Sequence, residues 1–186
     1  MSDSTNYDAH YLAIGRMLVL FQSLEATNKH GLQLLMSSEL DKPGGQLVHA
    51  AVTEMSFGLT TRIVATIPAI YTTERLGFKN SGAEPRVAEA LHDANEQLKQ
   101  GIKLAAEAEQ RRNQLVHSYW FVGPGYVTQP ATMTRMKVKV RLGSVSTDVE
   151  VESLAAIEEN SEKAMQAMSL LGSALRDYRL ILSHPW

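Results

Sequence analysis

The order of hydrophobic and polar residues predicts four long helices. Apolar side chains recur at steps of three and four residues over positions 8–38, 46–71 and 85–120, which is the spacing of a helix with one buried face. The same spacing resumes after Ser153, whose hydroxyl suits the N-cap of a last helix. Residues 41–45, Asp-Lys-Pro-Gly-Gly, predict a turn after the first helix because proline and glycine continue a helix poorly.

A β-hairpin is predicted between the third and fourth helices, at about residues 131–152. Apolar and polar residues alternate over two segments there, and Gly143-Ser144 suits a two-residue turn. Pairing across that turn sets Lys139 opposite Asp148, Lys137 opposite Glu150 and Arg135 opposite Glu152. Only Arg141 is left without an acidic partner. Four cations on one strand suggest an RNA-binding surface, but opposite charges across the strands favour a solvated ladder of salt bridges.

Together these elements predict an all-α fold, an up-and-down four-helix bundle with the β-hairpin inserted between the third and fourth long helices. The 186 residues fit a single domain, 1–186, because domains of about 100 to 200 residues are typical. Hydrophobic residues make up 44% of the chain and charged residues 20%, which is far from the composition of a disordered segment. We therefore expect the chain to fold around one core.

Composition also narrows the location and the partners. The sequence has no cysteine, which excludes disulfides and thiolate metal sites and predicts a reducing, cytoplasmic location. Arg16 interrupts the N-terminal apolar run before the roughly 20 residues that a membrane helix needs, so no membrane anchor is expected. A net charge of -2 argues against a general nucleic-acid coat and confines any RNA contact to a small positive pocket.

The end of the third helix holds the residues best suited to chemistry, in the segment Arg111-Arg112-Asn113-Gln114-Leu115-Val116-His117-Ser118-Tyr119. Asn113 and His117 are four residues apart and share a helix face, whereas Arg112 lies about 100° from Asn113 and about 140° from His117. The helix thus offers a base, an amide and a fixed cation, but one copy does not close well on one phosphate. Two copies related by a twofold axis would close a shared cleft.

This segment resembles the motif of the HEPN superfamily of ribonucleases and their relatives. The shared features are an arginine, a polar residue, three variable positions and a histidine at the end of a long helix, here Arg112, Asn113 and His117. An apolar pair before the histidine and Ser118 after it also match. The resemblance implies a HEPN-like bundle that forms a homodimer, with a composite site at the dimer interface.

The chemistry that the resemblance implies is metal-independent endoribonuclease activity of the toxin or antiviral-defence type. The ribose 2′-hydroxyl attacks the adjacent phosphate, one His117 takes the hydroxyl proton, and its symmetry mate protonates the leaving oxygen. Arg112 stabilises the charge that builds on the phosphate, and Asn113 orients the histidine or donates to the phosphate. Arg111, Ser118 and Tyr119 are predicted substrate contacts.

The resemblance also implies partners. RNA is the substrate, and no cofactor or metal is needed. A cognate antitoxin or nucleotidyltransferase-type protein is implied only because such partners are usual in the family.

A second interpretation from a different functional class stays open. In it, Arg112 pairs with Glu109 or with another helix, and His117 is a satisfied residue at a helix C-terminus, where a cation is mildly favoured. The protein is then a non-catalytic helical module that binds a protein or an RNA. The two hypotheses differ in what they require, because a nuclease needs Arg112 and His117 exposed in a polar cleft and a binding module needs an exposed apolar patch.

Metal and nucleotide chemistry find little support in the sequence. Residues 89–92, Glu-Ala-Leu-His, have the Glu-x-x-His form found in di-iron bundles, but such sites need a second copy and two further carboxylates. The other histidines show no zinc spacing, and no glycine-rich phosphate loop is present.

Overall fold

A computed structural model describes residues 4–36, 42–121, 132–142 and 144–183. The helices are α1 (Ser4–Met36), α2 (Pro43–Glu54), α3 (Phe57–Val64), α4 (Ile67–Ile70), α5 (Glu84–Val116) and α6 (Leu154–Ser183). Between α5 and α6 lie the strands β1 (Tyr119–Phe121), β2 (Thr132–Arg141) and β3 (Ser144–Ser153). The protein is therefore mostly helical, with a small antiparallel sheet in the order β1-β2-β3. Within these ranges, no helix combines the length and apolar composition needed to cross a membrane.

The chain divides into two compact units. Unit 1 contains Met1–Gln22 with Glu107–Ala164, and unit 2 contains Ser23–Ala106 with Met165–Trp186. The three long helices α1, α5 and α6 each contribute residues to both units. The whole sheet belongs to unit 1, whereas α2, α3 and α4 belong to unit 2.

In unit 2, glycines allow α6 to approach α1 and α5 closely. A Cβ atom added to Gly31 would overlap Cδ1 of Leu175, and one added to Gly101 would lie 2.8 Å from Cγ of Leu171. Both leucines are buried. The two glycines therefore leave room for leucine side chains of α6 where any larger residue would force a shift.

Polar side chains of α1 tie the shorter helices of unit 2 to it. Asn28 donates to the hydroxyl of Thr61 at 3.1 Å, Lys29 donates to the Thr53 carbonyl at 2.8 Å, and Gln33 donates to the His49 carbonyl at 3.2 Å. Asn28 and Gln33 are buried, so their bonds satisfy amide donors that would be costly to leave unpaired. Oδ1 of Asn28 has no hydrogen-bond partner among the described residues.

The core of unit 1 holds the end of α5 in place. Ala13 and Met17 of α1, Leu115 of α5 and Ile157 of α6 form one buried cluster, and Ile14, Trp120 and Leu154 pack against it. Leu115 is 2% exposed and is the last buried apolar residue of α5. Burial of this residue fixes the last turn of α5, where the candidate chemistry lies.

The helical periodicity placed most of the core correctly. In the predicted third helix, apolar residues at helical spacing are buried at Leu91, Ala94, Leu98, Ala105, Ala108 and Leu115. The hydroxyl of Ser153 caps α6 by accepting from the amide of Ala156 at 3.1 Å. The helical spacing of the predicted first helix also places Leu12 and Met36 on its buried face, and this is wrong, since both are exposed.

The predicted second helix, at 46–71, is instead three shorter helices. The chain is extended at Met55 and Ser56, and the Ser56 hydroxyl accepts from the amide of Leu59 at 3.3 Å to start α3. Pro68 then lies in the first turn of α4, where its missing N–H costs nothing. The predicted turn at 41–45 is also wrong in part, because Pro43 opens α2 for the same reason. Asp41 lies outside the described residues.

The sheet corrects two further predictions. Helix α5 ends at Val116 rather than at Trp120, because Tyr119 and Trp120 pair with β2 as strand β1. The hairpin exists, but its register differs by two residues from the predicted one, with Arg135 opposite Glu150 and Lys137 opposite Asp148. Since strand side chains alternate with a period of two, this shift leaves every residue on its predicted face.

The same register changes the predicted charge ladder. Lys139 and Arg141 lie opposite Ser146 and Ser144, so Arg141 is not the only cation of β2 without an acid opposite. Ser144 begins β3 rather than completing the turn, and Gly143 lies outside the described residues. The ladder is also not solvated throughout, because Arg135 is only 2% exposed.

The buried phenol of Tyr178 makes the stability of the protein sensitive to alkaline pH. Its hydroxyl donates to Oδ1 of Asn95, and burial raises its pKa to about 12. The unfolded chain loses this proton near pH 10, at about the ordinary tyrosine pKa, while the folded chain keeps it. The protonated phenol therefore makes its full contribution to the free energy of unfolding below about pH 10. As the pH rises towards 12, that free energy falls by on the order of 1–2 kcal/mol. Urea unfolding of the parent and of Tyr178→Phe between pH 8 and 11.5 measures this, and the variant should show the shallower decline.

Tyr11→Phe provides the matched control, because Tyr11 is an exposed tyrosine of α1. This variant should decline with pH as the parent does. If the free energy of unfolding fell equally steeply with pH in the parent and in Tyr178→Phe, the buried phenol would not contribute to this pH dependence.

Candidate functional site

The last turn of α5 is closed by groups from the residues that follow it. The amide of His117 donates to the Asn113 carbonyl at 3.1 Å, and the Ser118 hydroxyl donates to the Gln114 carbonyl at 2.5 Å. The indole N–H of Trp120 donates to the Leu115 carbonyl at 3.0 Å. Three carbonyls that the helix itself leaves without donors are thus satisfied, and the chain turns directly from α5 into β1.

A closed circuit of charged and polar side chains joins this turn to the sheet. Nε of Arg135 donates to Oε1 of Glu152 at 3.0 Å, and Arg111 donates to the other oxygen, Oε2. Nη1 of Arg111 also donates to the side chain of Gln114 at 3.0 Å, and Nη1 of Arg135 donates to the Ser118 hydroxyl at 3.3 Å. Because Ser118 in turn donates to the Gln114 carbonyl, the contacts form a ring. We refer to Arg111, Gln114, Ser118, Arg135 and Glu152 as the arginine–glutamate ring.

Most of the arginine–glutamate ring is shielded from solvent. Arg135 is 2% exposed and Glu152 is 4% exposed, while Arg135 also pairs with Glu150, whose side chain is mainly exposed. Two guanidinium groups therefore face two carboxylates, and the ring with Glu150 has no net charge. One donor, Nε of Arg111, is buried without a hydrogen-bond partner among the described residues.

Arg112 has different surroundings from its neighbour Arg111. Its Nη1 donates to Oδ1 of Asn113 at 2.9 Å, and its Cζ lies 5.6 Å from the ring centroid of Phe21 on α1. The side chain is half-buried. Throughout the part of the chain that the structure describes, no carboxylate forms a salt bridge with Arg112, so its charge is held in place by an amide and an aromatic face without being neutralised.

His117 lies immediately beyond the end of α5 and is exposed. Tyr119, two residues later, is 63% exposed. Among the described residues, no hydrogen bond joins His117 to Arg112, which agrees with their separation of about 140° around a helix. The predicted alternative partner of Arg112, Glu109, does not pair with it either within these ranges.

The predicted site residues thus fall into two groups. Arg112, Asn113, His117 and Tyr119 have no carboxylate partner among the described residues, whereas Arg111 and Ser118 belong to the arginine–glutamate ring. Arg135 and Glu152 were not identified as part of this region from the sequence. The alternation of charges in the hairpin marked both residues, but no sequence signal indicated that they meet Arg111.

The described residues contain no group of three or more histidine, aspartate or glutamate side chains placed to hold a metal ion.

No family model, curated protein or solved structure matches this chain.

Glu152 should be a residue on which folding depends. In Glu152→Gln, two buried guanidinium groups lose the carboxylate that they share, and breaking a buried ion pair in this way typically costs about 3–5 kcal/mol. We expect the free energy of unfolding, measured by urea denaturation, to fall by about 3 kcal/mol or more.

Glu74→Gln is the matched control, because Glu74 pairs with Lys79 on the surface. Its free energy of unfolding should change by no more than about 0.5 kcal/mol. An equally small change in Glu152→Gln would mean that the ring does not stabilise the fold.

Proposed function

We propose that the protein is a metal-independent endoribonuclease of the toxin or antiviral-defence type, built on a HEPN-like four-helix bundle and active as a homodimer. In this proposal α1, the α2–α4 segment, α5 and α6 correspond to the four helices, and the hairpin is an insertion between the last two. The observation that carries the proposal is the contrast between Arg111 and Arg112. The charge of Arg111 is neutralised by Glu152, whereas Arg112 keeps an unneutralised charge.

An unneutralised, half-buried guanidinium suits a phosphate. Its planar fork can donate two hydrogen bonds to phosphate oxygens, and it gains most where water is partly excluded. The contacts with Asn113 and Phe21 hold the guanidinium in one place before a ligand arrives, which lowers the entropy lost on binding. Asn113 acts in this proposal as the positioning residue of Arg112.

The exposed His117 supplies proton transfer. One His117 accepts the proton of the ribose 2′-hydroxyl while that oxygen attacks phosphorus, and the bond from phosphorus to the 5′-oxygen breaks. His117 of the second copy gives its proton to the leaving 5′-oxygen, so the products are a 2′,3′-cyclic phosphate and a 5′-hydroxyl. Arg112 stabilises the charge on the phosphate oxygens during the displacement.

The proposal extends to the setting of the enzyme. A cytoplasmic location brings it to cellular RNA, and a cognate antitoxin protein would restrain it. Tyr119 is available as a stacking contact for a base because it is exposed beside His117. Arg111 and Ser118 act mainly through the arginine–glutamate ring, which fixes the turn that carries His117.

A second candidate function is the non-catalytic binding module. The observation that favours it is that Arg112 already has two partners within the chain, Asn113 and Phe21. A purely structural arginine would show the same contacts, so the test of the nuclease must distinguish the two functions.

The test is cleavage of total cellular RNA in EDTA by the purified protein and its variants. Arg112→Ala and His117→Ala should each lower the rate about 100-fold or more, because they remove the phosphate clamp and the proton carrier. The parent should leave cyclic phosphate ends.

Arg86→Ala and His92→Ala are matched controls, since both residues are exposed and lie on the same helix. They should cut as the parent does. Equal traces from all five proteins, or an absence of cutting by the parent, would reject the nuclease in favour of the binding module. Circular dichroism of each variant confirms that folding is unchanged.

A further inference from the structure

One face of the three-stranded sheet is uncharged. Residues paired directly across antiparallel strands share a face, and the register places one uncharged set together, which includes Tyr119, Thr134, Met136, Val138, Val145, Thr147, Val149 and Val151. We refer to this set as the apolar sheet face. The opposite face carries the charged residues of the hairpin.

The apolar sheet face is open to solvent except at Thr134, which is buried, and at Met136, which is half-buried. Val145 is 69% exposed, Val149 is 62% exposed, and Tyr119 and Val151 are exposed as well. On the opposite face, Met133, Arg135 and Glu152 are buried. An antiparallel sheet ordinarily turns its apolar face to the core and its polar face to water. Here the arrangement is reversed, and an exposed apolar patch of this kind marks an interaction surface.

We propose that the apolar sheet face binds the same face of a second copy of this chain. In a twofold dimer each residue faces the equivalent surface of its partner, so a charged face would bring like charges together. A face without charged residues has no such conflict.

Charge also decides how the two sheets meet. The outer strand β3 carries Asp148 and Glu150 on the charged face, so adding the β3 edge of one copy to that of another would bring acidic residues close together. Face-to-face packing keeps those residues away from the interface. Stacked sheets lie about 10 Å apart with their side chains interleaved, an arrangement that branched residues such as valine fill well.

The size of the face suits the centre of a dimer interface. A stable interface buries about 800 Å² on each partner with roughly 20–30 residues, and the centre of such an interface is apolar with aromatic anchors. The exposed valines supply that centre, and Tyr119 lies at its margin on the outer strand β1, where it stays available to a base.

The interface lies beside the proposed catalytic residues. Tyr119 follows His117 by two residues, a span of about 7 Å when extended, so the proposed interface lies within that distance of the proposed proton carrier. The inference rests on the proposed function only for the choice of a second copy as the occupant.

Sedimentation velocity of the full chain tests the proposal without any measurement of RNA cutting. The parent should sediment as a dimer at micromolar concentration. The double variant Val145→Lys with Val149→Lys should weaken the dimer at least about tenfold, because four ammonium groups would have to be buried in it. The conservative double variant Val145→Ile with Val149→Ile should remain dimeric.

Leu47→Lys is the matched control, since Leu47 of α2 is 73% exposed and lies outside the sheet. It should dimerise as the parent does. Circular dichroism shows whether the double lysine variant folds. If it does not, Tyr119→Lys replaces it as an independent variant of the same face, and Tyr119→Lys should also weaken the dimer. A monomeric parent, or lysine variants that fold and dimerise normally, would overturn the inference.

The two proposals fail separately. A parent that dimerises through this face without cutting RNA would retain the interface and reject the nuclease. RNA cutting by the parent, together with lysine variants that dimerise normally, would retain the nuclease and reject the interface.

Discussion

Glu152 is shared by two arginines from different elements, and the arrangement of unit 1 depends on this contact. Arg111 belongs to the last turns of α5 and Arg135 to β2, so a single carboxylate of β3 fixes the helix end against two strands. Removing these ions from water is costly, and the cost is offset only when every charge has a partner at hydrogen-bond distance. Ser118 and Gln114 complete the set by binding the guanidinium groups and each other. The turn that carries His117 is therefore held by polar contacts on its inner side rather than by apolar packing alone.

The same contact gives the adjacent arginines different properties. Successive residues of a helix point about 100° apart, so Arg111 reaches the sheet while Arg112 reaches Phe21 on α1. Arg111 is neutralised by a carboxylate, and Arg112 is restrained only by an amide and a π-face, which leaves its charge available to an anion. The helical step thus separates an arginine that stabilises the fold from an arginine suited to ligand binding. Net charge alone cannot reveal this distinction, because the chain as a whole is slightly acidic.

Sequence patterns predicted those features of the fold that depend on periodicity. Three of the four predicted long helices, the buried face of α5 and the hairpin follow from steps of three and four or of two, and these are present. The Ser153 cap follows from the residue type and is present as well. The patterns failed where a local choice outweighed periodicity. Met55 and Ser56 break the second stretch because the Ser56 hydroxyl offers the next helix a cap, and Tyr119 leaves the helix because aromatic residues also suit a strand. The motif at Arg112, Asn113 and His117 was visible as a spacing, but the neutralisation of Arg111 by Glu152 was not, since it joins residues 41 positions apart.

The reversed sheet follows from the same buried charges. A sheet has two faces, and in unit 1 the face against α5 is occupied by the arginine–glutamate ring, Met133 and Trp120, which leaves the valine-rich face outside. A one-residue shift of β3 against β2 would turn the valines of β3 inward, but it would also expose Glu152 and leave Arg111 and Arg135 buried without their shared carboxylate. The buried ion pairs thus select a register that apolar burial within one chain would not favour. The apolar area left exposed costs free energy in water, and a second copy that covers this area would recover it. On this argument, the charged contact that fixes the end of α5 and the apolar face proposed for dimerisation are two consequences of one register.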